Sequence, residues 1–539
     1  MRPRKSLLLL ACAGTFAAAT GCGGSGPDGA GAGAKESGPV VSGGTFHYAI
    51  AGDPGDLDPA RTVTDNAYRI FAFAYDSLLD SSPDGKVVSN LATSWEITPT
   101  VAKFTLRKDV TCSDGSPVTA TTIAQNLNAL KDPKMQSPRL PIAMSTGDYT
   151  VTADDARATV TVRFKAPVSF LSYTIQALPI VCGEGLRDRS LLSRGTSGTG
   201  PYVLKEAVSG DHYTLTRRKD YRWGPDGATN DEPGQPETVV IKVVPNPTTI
   251  ANLLLAGELS GARVNSADAK RLEQRGLAEQ KHASGLTQML FNHAKGRPAA
   301  DPAVRRALTM AVDRGQLAKI VSGPDGRVGQ SVVPEASTPC PVPGVNAAIP
   351  AFDAAAAAAA LDAAGWAKGA DGVREKDGTR LQLNVISNSD FGPTFVSATE
   401  LVAKAWRELG ADVKIAGGNA QVTIQALASG NWDVVPLLGI SVAVPSQFVP
   451  LVSGPVPPQG INYGAVDNPD YLKLVGEAVT TADQQAACEN WNAAEAALFK
   501  AADVVPMVAL YERWWAAKTA TFETTAFDII PTSIRMRQG

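Results

Sequence analysis

Four histidines supply the only imidazole groups of the chain, and they lie far apart in sequence. His47, His212, His282 and His293 have no second ligand type at metal-binding spacing, and an HExxH motif is absent. A Walker loop and a Gly-x-Ser-x-Gly elbow are absent as well. We interpret the histidines as surface or satisfied core residues, and we predict no enzyme activity, no metal site and no cofactor. Scattered carboxylates leave a glycosidase acid pair open on spacing alone.

Cys22 is the residue whose neighbours point most clearly to a chemical modification. A basic start and an apolar stretch (6–19) too short to span a bilayer precede it. Small residues (19–21) lie directly before the cysteine, and a run rich in Gly, Ser and Ala follows. The layout resembles a bacterial lipobox, which implies a signal peptide over 1–21, a lipid on Cys22 and a flexible linker over 22–42. An ordinary secretory signal with an incidental cysteine is the alternative.

Four further cysteines remain after those of the leader and the lipid site. An even number is typical of disulfide bonds in an oxidising compartment. The four allow three pairings, and spacing does not choose among them. We favour Cys112–Cys182 and Cys340–Cys488, because each bridge then stays within one region. No two of them are separated by two residues, which argues against a zinc site of the Cys-x-x-Cys type.

The composition excludes some classes of partner. The chain has 539 residues, enough for two or three domain-sized cores. Its net charge is −3, its charged fraction is 19%, and it contains no run of basic residues, so nucleic acid is not an expected partner. No apolar run after the leader reaches transmembrane length, so we expect membrane contact only through the lipid anchor.

Strands and helices alternate along the chain without a repeat, which predicts a mixed α/β protein with at least two lobes. Three helices have clear start signals: Asp301 before Pro302, Asp353 before an alanine run that ends at Gly365, and Asp483 before a helix to residue 500. Other helices are predicted over 65–79 and 119–130. Strands are predicted over 45–51, 103–106, 149–164 (a pair), 213–217 and 239–244.

A series of segments, taken in order, resembles one family. The segments are GDPGDLDP (52–59), YDSLL (75–79), NLATSWE (90–96), FTLRKDV (104–110), SDGSPVTA (113–120), GTGPY (198–202), DPAVRRAL (301–308) and AVDR (311–314). Together they resemble the oligopeptide/dipeptide-binding proteins, solute-binding family 5 of ABC importers. The resemblance covers nearly all of the chain after the leader, and the ordered set is far more specific than any one motif.

The resemblance implies a bilobal periplasmic-binding-protein fold with an extra inserted domain. A first lobe would comprise about 43–62, 195–287 and 506–539, with the inserted domain at 63–194 and the second lobe at 288–505. Solute would lie between the lobes and be engulfed by hinge closure. The expected protein is a monomer on the extracytoplasmic face of the cell membrane, and its partners are an ABC permease and an ATPase.

Several candidate ligand-binding residues follow from matched positions. Asp53 and Pro54 correspond to family positions beside the ligand, and Arg139 corresponds to a loop of the inserted domain that reaches the cleft. Tyr511 is a further candidate, because an aromatic ring near the last strand suits stacking on a sugar. The neighbouring pair Trp514-Trp515 is expected to place at least one ring in the core.

The resemblance implies that Gly439, Ile440 and Ser441, which follow the segment 432–434, line the pocket. An equal alternative is that these three residues form a plain buried strand end. Peptide binders of the family usually carry an Asp shortly after this point, which pairs with the α-ammonium of the ligand. From 434 to 445 this sequence has no acid, and a buried ammonium without a partner costs on the order of several kcal/mol. We therefore expect a blocked peptide, a sugar, a siderophore-like molecule or another solute with an apolar part.

The resulting functional hypothesis is a non-enzymatic receptor that captures a peptide or peptide-like solute for import. Three alternatives stay open. The same fold would serve a non-peptide solute such as an oligosaccharide, or a sensor that presents solute to a signalling partner. A secreted lipoprotein hydrolase is the most distant alternative, and it would need one of the four histidines as its base.

Overall fold

The computed structural model describes residues 38–539 apart from 146, 266, 267, 337, 341–343 and 441. The predicted signal peptide (1–21), the lipid site Cys22, most of the predicted linker (22–42) and Ser441 lie outside the described residues. No helix within the described ranges combines the length and the apolar character that a bilayer crossing requires.

Helices and strands occur along the whole described chain and are numbered in chain order. The α-helices are α1 Asp65–Ala74, α2 Ala120–Leu130, α3 Arg139–Met144, α4 Leu171–Thr174, α5 Gly183–Arg187, α6 Pro247–Ala256, α7 Asp268–Gln274, α8 Pro302–Met310, α9 Arg314–Ser322, α10 Ala354–Ala363, α11 Pro393–Leu409, α12 Ala420–Ser429, α13 Pro469–Thr480 and α14 Gln484–Lys500. The strands are β1 Thr45–Ile50, β2 Leu79–Ser81, β3 Val87–Ser89, β4 Ala92–Ile97, β5 Val101–Leu106, β6 Tyr149–Asp154, β7 Thr159–Phe164, β8 Tyr202–Val208, β9 His212–Arg217, β10 Thr238–Val243, β11 Gly261–Arg263, β12 Ala278–Phe291, β13 Ala367–Lys368, β14 Arg374–Lys376, β15 Thr379–Arg380, β16 Gln382–Asn388, β17 Asp412–Gly418, β18 Val434–Gly439, β19 Val504–Ala516, β20 Ala520–Thr521 and β21 Arg535–Met536.

One ten-stranded sheet forms the backbone of the fold, in the order β17-β16-β18-β12-β19-β11-β1-β10-β9-β8. On one side of the central pair β12–β19, β16 runs parallel to β17 and β18. On the other side, β1 runs parallel to β10 and β11. Parallel pairs need crossover connections, and helices such as α6, α11 and α12 supply them. The two halves of the sheet are thus each an α/β layer.

The antiparallel pair β12–β19 belongs to both halves of this sheet. The second part of β12, from Gly285 onward, pairs with the first part of β19, and β18 borders it. The first part of β12, up to His282, pairs with the last part of β19, and β11 borders that part. The register shifts between His282 and Gly285, so an irregularity separates the two stretches. Two continuous strands therefore join the halves.

A separate four-stranded antiparallel sheet, in the order β4-β5-β7-β6, is inserted between β3 and β8 of the chain. Its inner face packs on α2, and Phe104, Ile123 and Val160 are fully buried there. The alternation of buried and exposed residues along β5 and β7 explains why the pattern of this segment predicts strands.

The described part of the chain contains the disulfide bonds Cys112–Cys182 and Cys340–Cys488. They are the pairs that the sequence analysis favoured. The first lies in the core of the region around the four-stranded sheet, where both cysteines are fully buried. The second joins the 340 loop to α14. Each bridge therefore ties a loop to the core on which it rests.

The predicted helix starts are confirmed. Asp301 caps α8 by accepting a hydrogen bond from the Ala303 amide at 2.9 Å. Asp353 and Asp483 cap α10 and α14 in the same way, each at 2.8 Å from an amide three residues on. The predicted strands agree with the observed ones to within one or two residues at their ends. Local capping chemistry and alternation are thus sufficient for these elements.

The helix predicted over 65–79 is wrong in its last part, because α1 ends at Ala74. Tyr75 is extended, and the Gly200 amide donates to the carbonyl oxygen of Ala74 at 3.1 Å. A Cβ atom added to Gly200 would lie 2.5 Å from the backbone at this point. A distant glycine segment therefore ends the helix and directs the chain into β2, and the local apolar pattern carries no sign of that contact.

Glu495 is a buried acid on α14, with 2% of its surface exposed. Its Oε2 accepts a hydrogen bond from the Val332 amide at 3.2 Å. Burial raises the pKa of Glu495 to about 7. The folded protein therefore binds this proton more tightly than the unfolded chain, and the associated stability is lost as the pH rises through 7.

We expect Glu495→Gln to gain stability relative to the wild type as the pH rises. The difference in the free energy of unfolding should grow by roughly 3 kcal/mol between pH 4.5 and pH 8.5, because the amide has no proton to lose. Urea unfolding followed by tryptophan fluorescence at both pH values measures it. Glu489→Gln, on the exposed side of α14, is the matched control and should show no such trend. A pH-independent difference for Glu495→Gln would contradict the buried-proton account.

Candidate functional site

A cavity of about 1300 Å³ lies between the stretch from α1 to α5 (65–187), here called the inserted region, the loops that follow β18 and the C-terminal segment (523–535). One side is formed by α1, the hairpin β2–β3 and residues near α3 and α4. The facing side is formed by residues 442–451, and the segment 523–535 closes one end. Small-molecule sites commonly occupy roughly 300–1,000 Å³. This cavity therefore has room for a solute of several amino-acid residues.

Arg69 of α1 links this helix to the C-terminal segment of the cavity wall. Its guanidinium pairs with Asp65 at 2.5 Å and with Asp528 at 2.9 Å, and it donates to the carbonyl oxygen of Phe527. The same group lies 4.9 Å from the ring centroid of Trp514. Arg69 is 5% exposed and the Asp528 side chain is 16% exposed, so this ion pair is largely shielded from screening by solvent. The wall is thus positioned before any solute arrives.

Gln447 connects the two facing walls. Its Oε1 accepts from the Ala443 amide at 2.9 Å, and its Nε2 donates to the carbonyl oxygen of Ile142 on α3 at 3.0 Å. A second contact between the same regions joins Phe170 and Trp491, whose ring centroids are 5.8 Å apart. These two contacts bridge the inserted region and the half of the sheet that contains β16–β18.

Asp76 is a buried carboxylate of the cavity wall, with 6% of its surface exposed. It accepts hydrogen bonds from the Tyr221 hydroxyl at 2.8 Å, the Thr199 hydroxyl at 2.8 Å and the Trp223 indole at 3.3 Å. Burial raises the pKa of Asp76, while these donors act in the opposite direction. The donors are all neutral, so the negative charge of the ionised form is solvated without being cancelled.

Asp53 and Pro54 are not among the residues that line this cavity. The Asp53 carboxylate accepts from the amides of Gly55 and Gly210 and from the hydroxyl groups of Ser209 and Tyr213, at 2.6–2.9 Å. The Pro54 carbonyl accepts from Thr64, the N-cap residue of α1, at 3.3 Å. The carbonyl oxygen of Pro54 therefore stabilises the start of α1.

Arg139 is also outside the lining of the cavity, and it is fully buried. Its guanidinium donates to the carbonyl oxygens of Pro59, Thr62 and Ala177 at 2.6–2.8 Å and to the hydroxyl group of Tyr68. Tyr68 itself lines the cavity. Arg139 therefore supports a wall residue from behind, and direct contact with a solute stays a prediction.

Gly439, Ile440 and Tyr511 are not among the residues that line the cavity. Gly439 ends β18, and a Cβ added there would lie 2.3 Å from the ring of Phe391. The Ile440 amide donates to the Leu286 carbonyl at 3.2 Å. Tyr511 is half-buried, with the Lys281 ammonium 4.0 Å from its ring centroid. Solute contact by these residues, as by Ser441, stays a prediction.

Sequence reasoning did not single out the acids and the C-terminal segment that line the cavity. Asp76 belongs to the motif YDSLL, and Asp80 follows it directly. The signal for this site in the sequence is therefore a pair of acids within and directly after a motif that also identifies the fold. Val442 and Ala443 of the facing wall come just after the predicted residues 439–441.

None of the four histidines is among the cavity residues of the described chain. His212 begins β9, and its Nδ1 lies 3.0 Å from the Asp211 carboxylate, whereas His282 contacts the Thr524 hydroxyl at 2.7 Å. His293 lies 3.9 Å from Asp503 within a buried network, where burial lowers the pKa of the imidazole to about 3. Within the described ranges, no group of three or more His, Cys, Asp and Glu side chains is placed to hold a metal ion.

Comparison with known families gives a match over residues 86–454, more than half of the chain, to the bacterial extracellular solute-binding proteins, family 5 (middle region). The chain belongs to this family. Its members are the solute-binding components of ABC importers, so the resemblance drawn from the ordered motifs is confirmed.

Individual relatives extend the similarity over most of this family 5 protein. The periplasmic murein peptide-binding protein MppA of Escherichia coli (strain K12) is 26% identical over 498 residues, which cover 85% of this chain and 86% of that protein. The nickel-binding periplasmic protein of the same strain is 24% identical over 452 residues, covering 80% and 82%. The crystal structure of the ABC transporter substrate-binding protein CtaP from Listeria monocytogenes has a TM-score of 0.79 and 18% identity, covering 92% of this chain and 100% of that one. The bilobal α/β fold expected from the sequence is confirmed.

Proposed function

We propose that this family 5 protein captures a peptide or peptide-like solute outside the cytoplasm and delivers it to the permease of an ABC importer. The observation that carries the proposal is the cavity of about 1300 Å³, whose facing walls come from the inserted region and from the loops after β18. Its size suits a short peptide better than a small metabolite. Among the relatives, MppA is named as a murein peptide-binding protein, and a second relative is named as a nickel-binding protein.

The capture step that we propose is a hinge closure about β12 and β19. Both strands run through the two halves of the large sheet, and their ladder has register shifts between His282 and Gly285 and between Thr287 and Gln288. A solute that contacts both walls favours the closed arrangement, because only there do both sets of contacts form. The Gln447–Ile142 hydrogen bond and the Phe170–Trp491 contact break when the walls separate.

The domain boundaries of this proposal are those expected from the sequence. The four-stranded sheet and the Cys112–Cys182 bridge fall within the proposed inserted domain at 63–194. Strands β16–β18 fall within the proposed second lobe at 288–505. The first lobe (43–62, 195–287 and 506–539) meets the second inside β12 and β19. The proposed boundary therefore crosses the two shared strands.

We also propose that a lipid on Cys22 holds the protein on the extracytoplasmic face of the cell membrane. The support is the sequence alone: a basic start, an apolar stretch, small residues before the cysteine and a Gly-rich linker after it. Such a linker lets a tethered receptor reach its permease while its cleft stays in solution.

Native mass spectrometry of the mature protein, purified from its own cells without denaturation, tests the receptor function. We expect a one-to-one complex with an organic solute that denaturation releases and that rebinds to the refolded protein with its mass unchanged. Deleting the permease should abolish cellular uptake of the recovered molecule, whereas persistent uptake would favour the sensor. A recovered molecule that the refolded protein converts to a product would contradict a receptor and favour the hydrolase.

Cys22→Ala tests the anchor, with Cys12→Ala as the matched control. We expect the Cys22 variant to leave the membrane fraction and to lack the mass of a lipid, because its attachment thiol is gone. The Cys12 variant should stay lipidated, since that cysteine lies inside the predicted leader. Cell fractionation and mass spectrometry of the mature N-terminus measure both. Retention of Cys22→Ala in the membrane fraction would refute the anchor.

A further inference from the structure

The charges on the cavity wall are unbalanced. Among the described lining residues there are seven carboxylates and two guanidinium groups, without lysine or histidine. Arg69 is committed to Asp65 and Asp528, and Arg535 donates to the carbonyl oxygens of Thr532 and Ile534 at 2.7 and 2.9 Å. Five lining carboxylates take part in no salt bridge found in the described part of the chain. These are Asp76, Asp80, Asp226, Glu232 and Glu523.

Most of these five acids are unsuited to hold a solute cation. Asp226, Glu232 and Glu523 are exposed, so water and salt screen their charges. The oxygens of Asp76 are occupied by Tyr221, Thr199 and Trp223. Asp80 is the remaining acid.

Asp80 lies at the centre of β2, opposite Val88 of β3. Its neighbour Leu79 is fully buried in the core of the inserted region. Since successive side chains of a strand point to opposite faces, Asp80 faces away from that core and toward the cavity that it lines. Only a single hydrogen bond of the described structure reaches its carboxylate, from the Ser81 amide to Oδ1 at 2.7 Å.

The surroundings of Asp80 disfavour its bare negative charge. Burial, together with the nearby charge of Asp76, raises the pKa of Asp80 to about 7. A half-buried carboxylate with an open acceptor oxygen gains more from a cation than an exposed one, because the local dielectric is lower than that of water. A solute cation would supply the partner that the chain itself does not.

We propose that Asp80 binds a cationic group of the solute, an ammonium or guanidinium carried on an apolar body, and that it thereby selects organic cations. The inference rests on the proposed receptor function. Val88 lies opposite Asp80, and Tyr173, Ile142 and Phe527 line the same cavity, which suits an apolar body. The facing wall comes from the acid-free stretch that contains Val442 and Ala443. Asp80, on the opposite wall, would therefore supply the carboxylate partner for an ammonium group that this stretch lacks.

Affinity selection with the solute-free mature protein tests this assignment. The probes are three equimolar mixtures of lysine- and arginine-free tripeptides: C-terminally amidated with a free amine, amidated and N-acetylated, and N-acetylated with a free carboxylate. Primary arylalkylamines and their acetamides form a second, non-peptide set. We expect capture of the cationic species, with acetylated counterparts bound about tenfold or more weakly to the wild type.

Asp80→Asn should lower the affinity for the captured cations by about tenfold or more, because a charge-assisted contact is replaced by a neutral one. Asp84→Asn, on the exposed turn of the same hairpin, is the matched control and should stay within about twofold of the wild type. If Asp80→Asn does not fold, the comparison of amines with their acetylated forms on the wild type decides the question.

Two results would overturn the assignment. One is capture of neutral or anionic probes with no preference for amines and no effect of Asp80→Asn, which would leave the receptor function intact. The other is an absence of capture from every mixture, which counts against an organic cation. In that case the solute carried over in native mass spectrometry decides the receptor function separately.

Discussion

The hydrogen-bonded pair β12–β19 is the constraint on which the rest of the structure depends. Both strands continue from one half of the ten-stranded sheet into the other, so the halves share a core of backbone hydrogen bonds. Such a connection resists separation along its regular parts and permits bending where the register shifts, between Thr287 and Gln288 and between His282 and Gly285. Ser284, within that irregularity, lines the cavity. The place where the sheet can bend is therefore next to the place where solute would bind.

The cavity wall combines fixed and unsatisfied charges, and the two have different consequences. Arg69 pairs with Asp65 and Asp528 and joins α1 to the C-terminal segment, and Arg263 pairs with Asp65, so that two bases balance the two acids. Their mutual pairing makes the wall rigid and leaves little net charge for a solute. Asp76 and Asp80 form no ion pair within the described residues, and their carboxylates accept from neutral donors. A preorganised wall with an uncompensated charge favours a solute of opposite charge, because little further ordering is needed on binding.

The sequence predicts the elements that local chemistry determines and misses the contacts that tertiary packing determines. Three helix starts are predicted correctly because a cap needs only a side chain and an amide two or three residues further along the chain. These starts are at Asp301, Asp353 and Asp483. The end of α1 depends on Gly200, which is distant in sequence, and no local pattern could show it. Asp80 was missed because β2 is only three residues long, too short for its alternation to be recognised.

Matched motifs gave the family and the fold, whereas the residues carried over with them do not line the described cavity, and their contact with solute stays a prediction. Asp53 and Arg139 occupy positions matched to the family. In this chain the Asp53 carboxylate accepts hydrogen bonds from Gly210 and Tyr213, and Arg139 donates to the Tyr68 hydroxyl from behind the cavity wall. A motif that identifies a fold records the contacts that every member needs, and those are mainly structural. In this chain the candidate solute contacts are therefore taken from the walls of the cavity.

The distance between the two walls, with and without solute, tests the central claim most directly. Spin labels at Thr93→Cys on β4 and Lys473→Cys on α13, both exposed positions, report that distance by pulsed electron resonance in a Cys22→Ala chain with its disulfides intact. We predict a long or broad distance distribution for the solute-free protein and a shorter, narrower one after loading with the recovered solute. Identical distributions in both states would contradict a receptor that closes about β12 and β19.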